Sequence, residues 1–188
     1  MNPAAGWRHR RLANRLETFV PDPERYPEDA LGVEVCREAL AALAEGNYGI
    51  GAVIADRAGR VVVRARNRVF EPRFASDGHA EMMAVSELES AGRGREAPDL
   101  TLVATLEPCP MCYTRLKISG MGRVLYLADD PDGGMVHAAD RLPRIWALLR
   151  PGQEFRRARV SPELVRLARA MFRSNLRALR AKLVGAAG

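Results

Sequence analysis

The sequence predicts an α/β sandwich built on a mixed sheet. Three observations point there: apolar residues at helical spacing from Glu28 to Glu45, two β-rich runs split by a short turn, and an alternation of strand, helix and strand between Leu100 and Ala128. At 188 residues with 47% hydrophobic content, the chain is long enough for one core, with a sheet buried between helices.

Each element has a local signal. Residues 1–27 carry Pro21, Pro23 and Pro27 and little periodicity beyond a short helix from Trp7 to Thr18, and they read as an irregular basic extension. Val33, Cys36, Leu40 and Leu43 then mark a helix that Gly46 stops. Tyr48–Ala55 and Arg60–Ala65, separated by Asp56, Arg57, Ala58 and Gly59, read as a hairpin. A second helix is expected from Asp77 to Glu89, with Ser76 or Asp77 as N-cap and Gly92 and Gly94 beyond its end. Leu100–Leu106 is a strand that Pro108 breaks, and a helix over Cys109–Ser119 follows it. Arg123–Ala128 is the next strand, 129–140 a flexible loop, Leu142–Leu149 a short helix and Phe155–Val160 a fifth strand. Pro162–Leu183 closes the chain as one long helix, with Leu164, Leu167, Ala168, Met171, Leu179 and Leu183 on one face. The expected organisation is the extension 1–27 followed by a single domain over 28–188.

The net charge of +6 is unevenly spread. Residues 1–17 carry four arginines against one glutamate, and residues 156–182 carry nine basic residues against one acid, so the centre is acidic. The arginines of the last helix, Arg166, Arg169, Arg173, Arg177 and Arg180, oppose its apolar face and read as a solvated stripe, with an RNA-contacting stripe as the alternative. No apolar run reaches the ~18 residues of a membrane helix, and no signal core follows the early arginines, so no membrane partner and a cytoplasmic location are expected. Three cysteines, two of them three positions apart in the cluster Cys109-Pro110-Met111-Cys112, are too few and too close for a secreted disulfide framework.

Two short motifs carry the chemistry. His79-Ala80-Glu81 is an H-x-E, and Pro108-Cys109-Pro110-Met111-Cys112 is a P-C-x-x-C whose first cysteine lies thirty residues later. Together, in this order and each opening a helix, they form a zinc-deaminase signature. Thiolates bind zinc, and a helix N-terminus favours them through its dipole and free N–H groups. One histidine and two cysteines leave a fourth tetrahedral position open, as catalytic zinc requires. Residues i and i+2 of a helix lie about 200° apart, so His79 and Glu81 converge only on a point in front of the first turn. Two helix N-termini are therefore expected to face one zinc. Zinc lowers the pKa of water toward ~7, and Glu81 is placed to take its proton and pass it to the leaving amine.

From Tyr48 to Ala128, with a weaker echo in the last helix, the chain resembles the cytidine deaminase-like superfamily. Gly49-Ile50-Gly51-Ala52-Val53-Ile54 is similar to its first strand, and Thr105-Leu106-Glu107-Pro108-Cys109-Pro110-Met111-Cys112 is similar to the guanine, cytosine and tRNA adenosine deaminases. The resemblance implies a three-layer α-β-α sandwich with a five-stranded mixed sheet. It also implies zinc held by His79, Cys109 and Cys112, Glu81 as proton shuttle, substrate contacts at Asn67 and Ala80, and a homo-oligomer, most simply a dimer. His137, in the loop, is a further candidate for substrate contact.

Plainer readings stand beside these. Cys109 and Cys112 match a thioredoxin-like redox pair, but that leaves His79 and Glu81 unexplained. A structural zinc site needs a fourth ligand, and Cys36 sits on an apolar stripe as a small buried hydrophobe. Asn67 at a strand end equally suits a turn, His137 a solvated loop residue, Glu107 a helix N-terminus, and Trp146 and Phe155 core or interface. The expected function is a hydrolytic deaminase of a small nucleobase, nucleoside or related amino-heterocycle. A tRNA adenosine deaminase and an inactive RNA-binding module of the same fold are the alternatives.

Overall fold

Strand alternation sorts the core into two apolar layers. The structure is a computed structural model, and it describes residues 3–149 and 151–185. Its strands are β1 (Gly51–Ala55), β2 (Val61–Arg66), β3 (Thr101–Leu106), β4 (Arg123–Ala128) and β5 (Glu154–Arg157). Its α-helices are α1 (Pro3–Glu17), α2 (Asp29–Ala44), α3 (Ala80–Ser90), α4 (Pro110–Ser119), α5 (Arg144–Leu148), α6 (Pro162–Arg173) and α7 (Leu176–Gly185). Val53, Val103 and Leu125 face α1, α2 and α6, whereas Ala52, Ile54, Leu102, Ala104 and Val124 face α3 and α4. Period-two alternation in nearly unbroken apolar strands thus gives each face of the sheet its own helical cover.

The five strands lie in the order β2-β1-β3-β4-β5. β1 is antiparallel to both β2 and β3, and β3, β4 and β5 run parallel. This is the three-layer sandwich on a five-stranded mixed sheet that the sequence and its resemblance led us to expect. Among the described residues, no helix is long and apolar enough to cross a membrane.

Several expectations need correcting. The amino-terminal segment is not irregular: α1 spans 15 residues, and its Leu12 and Leu16 are buried in the same cluster as α2 and α6. Two leucines four residues apart suffice to dock a helix that carries four arginines. The predicted long last helix is two helices. Asn175, between α6 and α7, accepts from Leu179 N–H at 3.0 Å and donates its Nδ2–H to Asn47 O at 2.6 Å. The chain turns away there, leaving Leu183 42% exposed instead of on the buried face. The fifth strand starts one residue earlier than expected and ends at Arg157. The arginine stripe breaks with its helix: Arg166 pairs with Glu163 and Arg169 with Asp129, both on α6.

Candidate metal and catalytic site

The carboxyl end of β3 and the amino ends of α3 and α4 converge on one spot. Cys109 precedes Pro110, whose ring disfavours helical backbone in the residue before it. Cys109 is accordingly extended (φ −69°, ψ 170°) as the N-cap of α4, with Pro110 in the first turn. His79 holds the matching place on α3 (φ −72°, ψ 147°). The expected N-cap at Ser76 or Asp77 is therefore displaced. Gly78 N–H donates to Ala75 O at 2.9 Å and His79 N–H to Asp77 O at 2.7 Å, so residues 75–79 form tight turns and the helix starts at Ala80. Neither His79 nor Cys109 spends its side chain on capping, which leaves both free to point at a ligand.

His79 Nδ1 lies 3.6 Å from Cys109 Sγ and 3.5 Å from Cys112 Sγ. The ligand atoms of the three residues all lie within 4.8 Å of one another. With zinc–sulfur and zinc–nitrogen bonds of ordinary length, the edge of a tetrahedron joining N to S is about 3.6 Å. The triangle therefore fits zinc, with one position left for a non-protein ligand. Cys36, fully buried in the α2 core, stands outside this group, and burial pushes its thiol up to about 12.

The thiols share a proton. A hydrogen bond from Cys112 holds Cys109 down at about 4 despite burial, while the same bond and burial push Cys112 well up. At the mouth of a helix this is the expected asymmetry, with one thiolate stabilised by its neighbour's S–H and by His79. Such a pair gives up its remaining proton when a cation binds.

Glu81, one residue into α3, is 4% exposed. Burial pushes its carboxyl up to about 7, and the negative charge of Cys109 acts in the same direction. A carboxyl group within hydrogen-bonding reach of Cys112 and balanced between its two forms near neutrality can both accept and return a proton. Ala80, the first residue of α3, buries its methyl group in the core beneath the site, so only its backbone is placed to meet a substrate.

Asn67 is brought beside His79 by a closed loop. Arg68 N–H donates to Gly78 O at 2.7 Å, clamping the two ends of the segment between them. A Cβ on Gly78 would lie 2.7 Å from Arg68 O, so the clamp needs glycine. Asn67 is fully buried, and its Oδ1 accepts from Val69 N–H at 3.2 Å in an Asx turn. Its Nδ2 is buried without a partner among the described residues, which is costly for a polar group unless something else accepts from it. The turn reading and the binding reading are thus satisfied by different atoms of one side chain.

Sequence reasoning gave Glu107, one residue before Pro108, a helix N-terminus to stabilise and no chemistry. Its buried carboxylate accepts from Asp130 N–H at 3.1 Å and from His137 N–H and ring Nδ1, both at 2.9 Å. Met135 N–H donates to Pro108 O at 2.8 Å. The segment expected to be a flexible loop is therefore tied down beside Cys109, and 136–141 forms a 3-10 turn. The signal was available: an acid next to the motif and a Gly133-Gly134 pair, where a Cβ on Gly134 would come within 2.4 Å of Glu107 Cδ. His137 is neither free nor simply solvated, since Glu107 holds it at the rim, half-exposed. Asn47 was also missed. Its Oδ1 accepts from Phe70 and Glu71 N–H at 2.8 and 3.0 Å, shaping the same loop that Asn67 opens. Phe155 packs on Tyr113, ring centroids 4.7 Å apart, as part of the core periphery.

Residues 28–128 match the model of the cytidine and deoxycytidylate deaminase zinc-binding region. Over 101 residues the chain is 38% identical to the tRNA-specific adenosine deaminase of Bacillus subtilis (strain 168), which takes in 54% of this chain and 62% of that relative. Among solved structures, one from studies of A-to-I editing by tRNA:A34 deaminases at the wobble position superposes with a TM-score of 0.59 at 28% identity. It covers 71% of this chain and 94% of that one. The guanine deaminase of Nitrosomonas europaea shares the fold, with a TM-score of 0.59 at 22% identity over 76% of this chain and 85% of that one.

Proposed function

Since the chain belongs to the cytidine and deoxycytidylate deaminase zinc-binding family, we propose that it is a hydrolytic deaminase, replacing an exocyclic amino group on a nucleobase, nucleoside or related amino-heterocycle with oxygen. The observation that carries this reading is the His79, Cys109 and Cys112 triangle at zinc-ligand spacing, with the buried Glu81 carboxyl beside it. When bound, zinc supplies Lewis acidity at an open position, which makes water a nucleophile near neutral pH.

This chain's own groups do the rest. His79, Cys109 and Cys112 hold the metal. Glu81 takes a proton from the attacking water and delivers it toward the amino group, which leaves as ammonia while the water oxygen stays on the ring carbon. Asn67 directs its unpartnered Nδ2–H at an acceptor of the heterocycle and orients it. The backbone of Ala80 and the half-exposed ring of His137, held by Glu107, border the same space. Burial of Glu81 and Asn67 excludes bulk water from the proton path.

Two readings of the substrate differ in how the base is delivered. A free base or nucleoside suits the acidic centre of the chain. An adenosine within tRNA is favoured by the relative at 38% identity, which carries that activity in its name. An inactive RNA-binding module has less support, because His79, Cys109 and Cys112 stand at zinc-ligand spacing and Glu81 lies within hydrogen-bonding reach of Cys112. The exposed Ile118, Ile145 and Leu148 are apolar surface available to a second copy of the chain, and light scattering at working concentration tests the homodimer. The function itself is tested by ammonia release from guanine, adenine, cytosine, their nucleosides and tRNA, using zinc-loaded protein. Turnover of one of them that vanishes in Glu81→Gln is the expected result, and release by none overturns the reading.

A further inference from the structure

Trp7 stands between two basic hollows. On one side a concavity of about 430 Å³ between α1 and α6 is lined by Trp7, Arg8, Arg11, Arg15 and Arg173, and reaches Ser174. On the other a hollow of about 420 Å³ is lined by Trp7, Arg10, Arg11 and Asn14. Neither lining contains a carboxylate. Trp7, Arg11 and Arg15 follow one another at four-residue spacing and so form a single ridge. Leu12 and Leu16 dock α1 onto the core, leaving Trp7 and Arg11 exposed and Arg15 turned to Glu163 on α6.

The ridge is poised for an anionic partner with flat rings. The indole of Trp7 is 56% exposed, a large apolar surface left in water. The Arg11 guanidinium carbon lies 5.5 Å from the indole centroid. Arg15 is neutralised by Glu163, but among the described residues Arg8, Arg10, Arg11 and Arg173 have no carboxylate in ion-pair contact. A chain of bonded residues links the hollow to the loop beside the candidate site. Ser174 leads into Asn175, which bonds to Asn47, and Asn47 shapes the loop that runs from Asn67 to His79.

Several unpaired arginines spread along a hollow match a chain of phosphates better than one small anion, and an exposed indole offers a base a stacking face. A membrane surface fits worse, because the leucines that α1 would insert are buried in the core. We propose that the α1/α6 hollow binds a single-stranded stretch of RNA, with Arg8, Arg11 and Arg173 on phosphates and Trp7 stacked on a base. This deepens the nucleobase reading above and rests on it for what happens to the base at the site. Most of the hollow comes from α1, which lies outside the residues 28–128 that match the family.

The test is fluorescence anisotropy of the full chain with a labelled 12-nucleotide single-stranded RNA of mixed sequence, titrated at several KCl concentrations. Variants are the triple Arg8→Gln/Arg11→Gln/Arg173→Gln, Trp7→Ala and Trp7→Phe. Losing three phosphate contacts is expected to flatten the log-log salt slope by about 2, at ~0.7 for each contact to a single strand. Trp7→Ala is expected to weaken binding about tenfold with the slope unchanged, and Trp7→Phe to recover most of that loss. Thermal unfolding confirms that each variant is folded. The proposal is overturned if the unmodified chain fails to bind RNA, if the triple variant keeps its affinity and slope, or if phosphatidylglycerol vesicles bind as tightly as RNA. Ammonia release is measured separately, so RNA binding that follows the expected pattern without any turnover sinks the deaminase reading and leaves this surface standing.

Discussion

The Glu107 carboxylate accepts from both the backbone N–H and the ring Nδ1 of His137, each at 2.9 Å. Its second oxygen takes Asp130 N–H, so one buried side chain closes the segment between them against the residue that precedes Pro108. The strand end that positions Cys109 thus also positions the rim of the site.

Glu107→Gln tests that tie. Glutamine has one acceptor oxygen, so at one side of the group an N–H donor would face another donor. The expected loss is about 1–3 kcal/mol of stability, the usual cost of unsatisfied buried polar groups. Urea unfolding measures it, and limited proteolysis should show new cleavage within 129–141 in the variant.

Metal content should be one zinc per chain by elemental analysis. Replacing Cys112 with Ala removes one of three protein ligands and should abolish stoichiometric zinc and activity together. His79→Ala should do the same. A functional form carrying a Cys109–Cys112 disulfide would contradict the assignment, and thiol titration under native conditions detects it.

Glu81→Gln keeps the shape of the side chain and removes the titratable group. It should retain zinc and an unchanged unfolding midpoint while turnover drops at least ~10²-fold, the ordinary effect of deleting a positioned acid-base group. Loss of zinc in this variant would make Glu81 a ligand and overturn its role.

Acid stability should depend on Glu28. Burial raises its pKa, but Arg156, at 2.7 and 3.2 Å, and the Arg159 N–H outweigh burial and hold the carboxyl below its ordinary 4.5. A carboxyl depressed in the folded state contributes stability that is fully present above the unfolded value. That contribution is lost as pH falls through the folded one. Glu28→Gln should therefore destabilise the chain at neutral pH and flatten the decline in stability below pH 4.5, as read by thermal unfolding across pH 3–7.

Much of the site was legible before folding because its chemistry is local. His79, Glu81, Cys109 and Cys112 lie within two motifs whose combined spacing and helix-opening position point to metal binding and proton transfer. The strands were legible for a related reason, since alternation and β-branched runs are short-range signals. The sequence by itself determined the layers of the fold and brought forward the candidate ligands and the candidate proton carrier.

Tertiary structure decided what depends on residues distant in the chain. Asn67 was already a candidate substrate contact, but which of its atoms is available was decided where the Arg68–Gly78 clamp closes its loop, with Oδ1 spent on a turn and Nδ2 buried and unpartnered among the described residues. Glu107 organises a rim supplied some 23 to 30 residues later. The last helix breaks because Asn175 finds Asn47, 128 residues away, a partner no periodicity encodes. α1 joins the core through two leucines that need α2 and α6 to bury them, and only that docking makes a basic hollow out of arginines that read in sequence as an irregular tail. The physical reason is common to all four. A buried hydrogen bond or a shared hollow is a property of two surfaces, and its free energy exists only once both are in place.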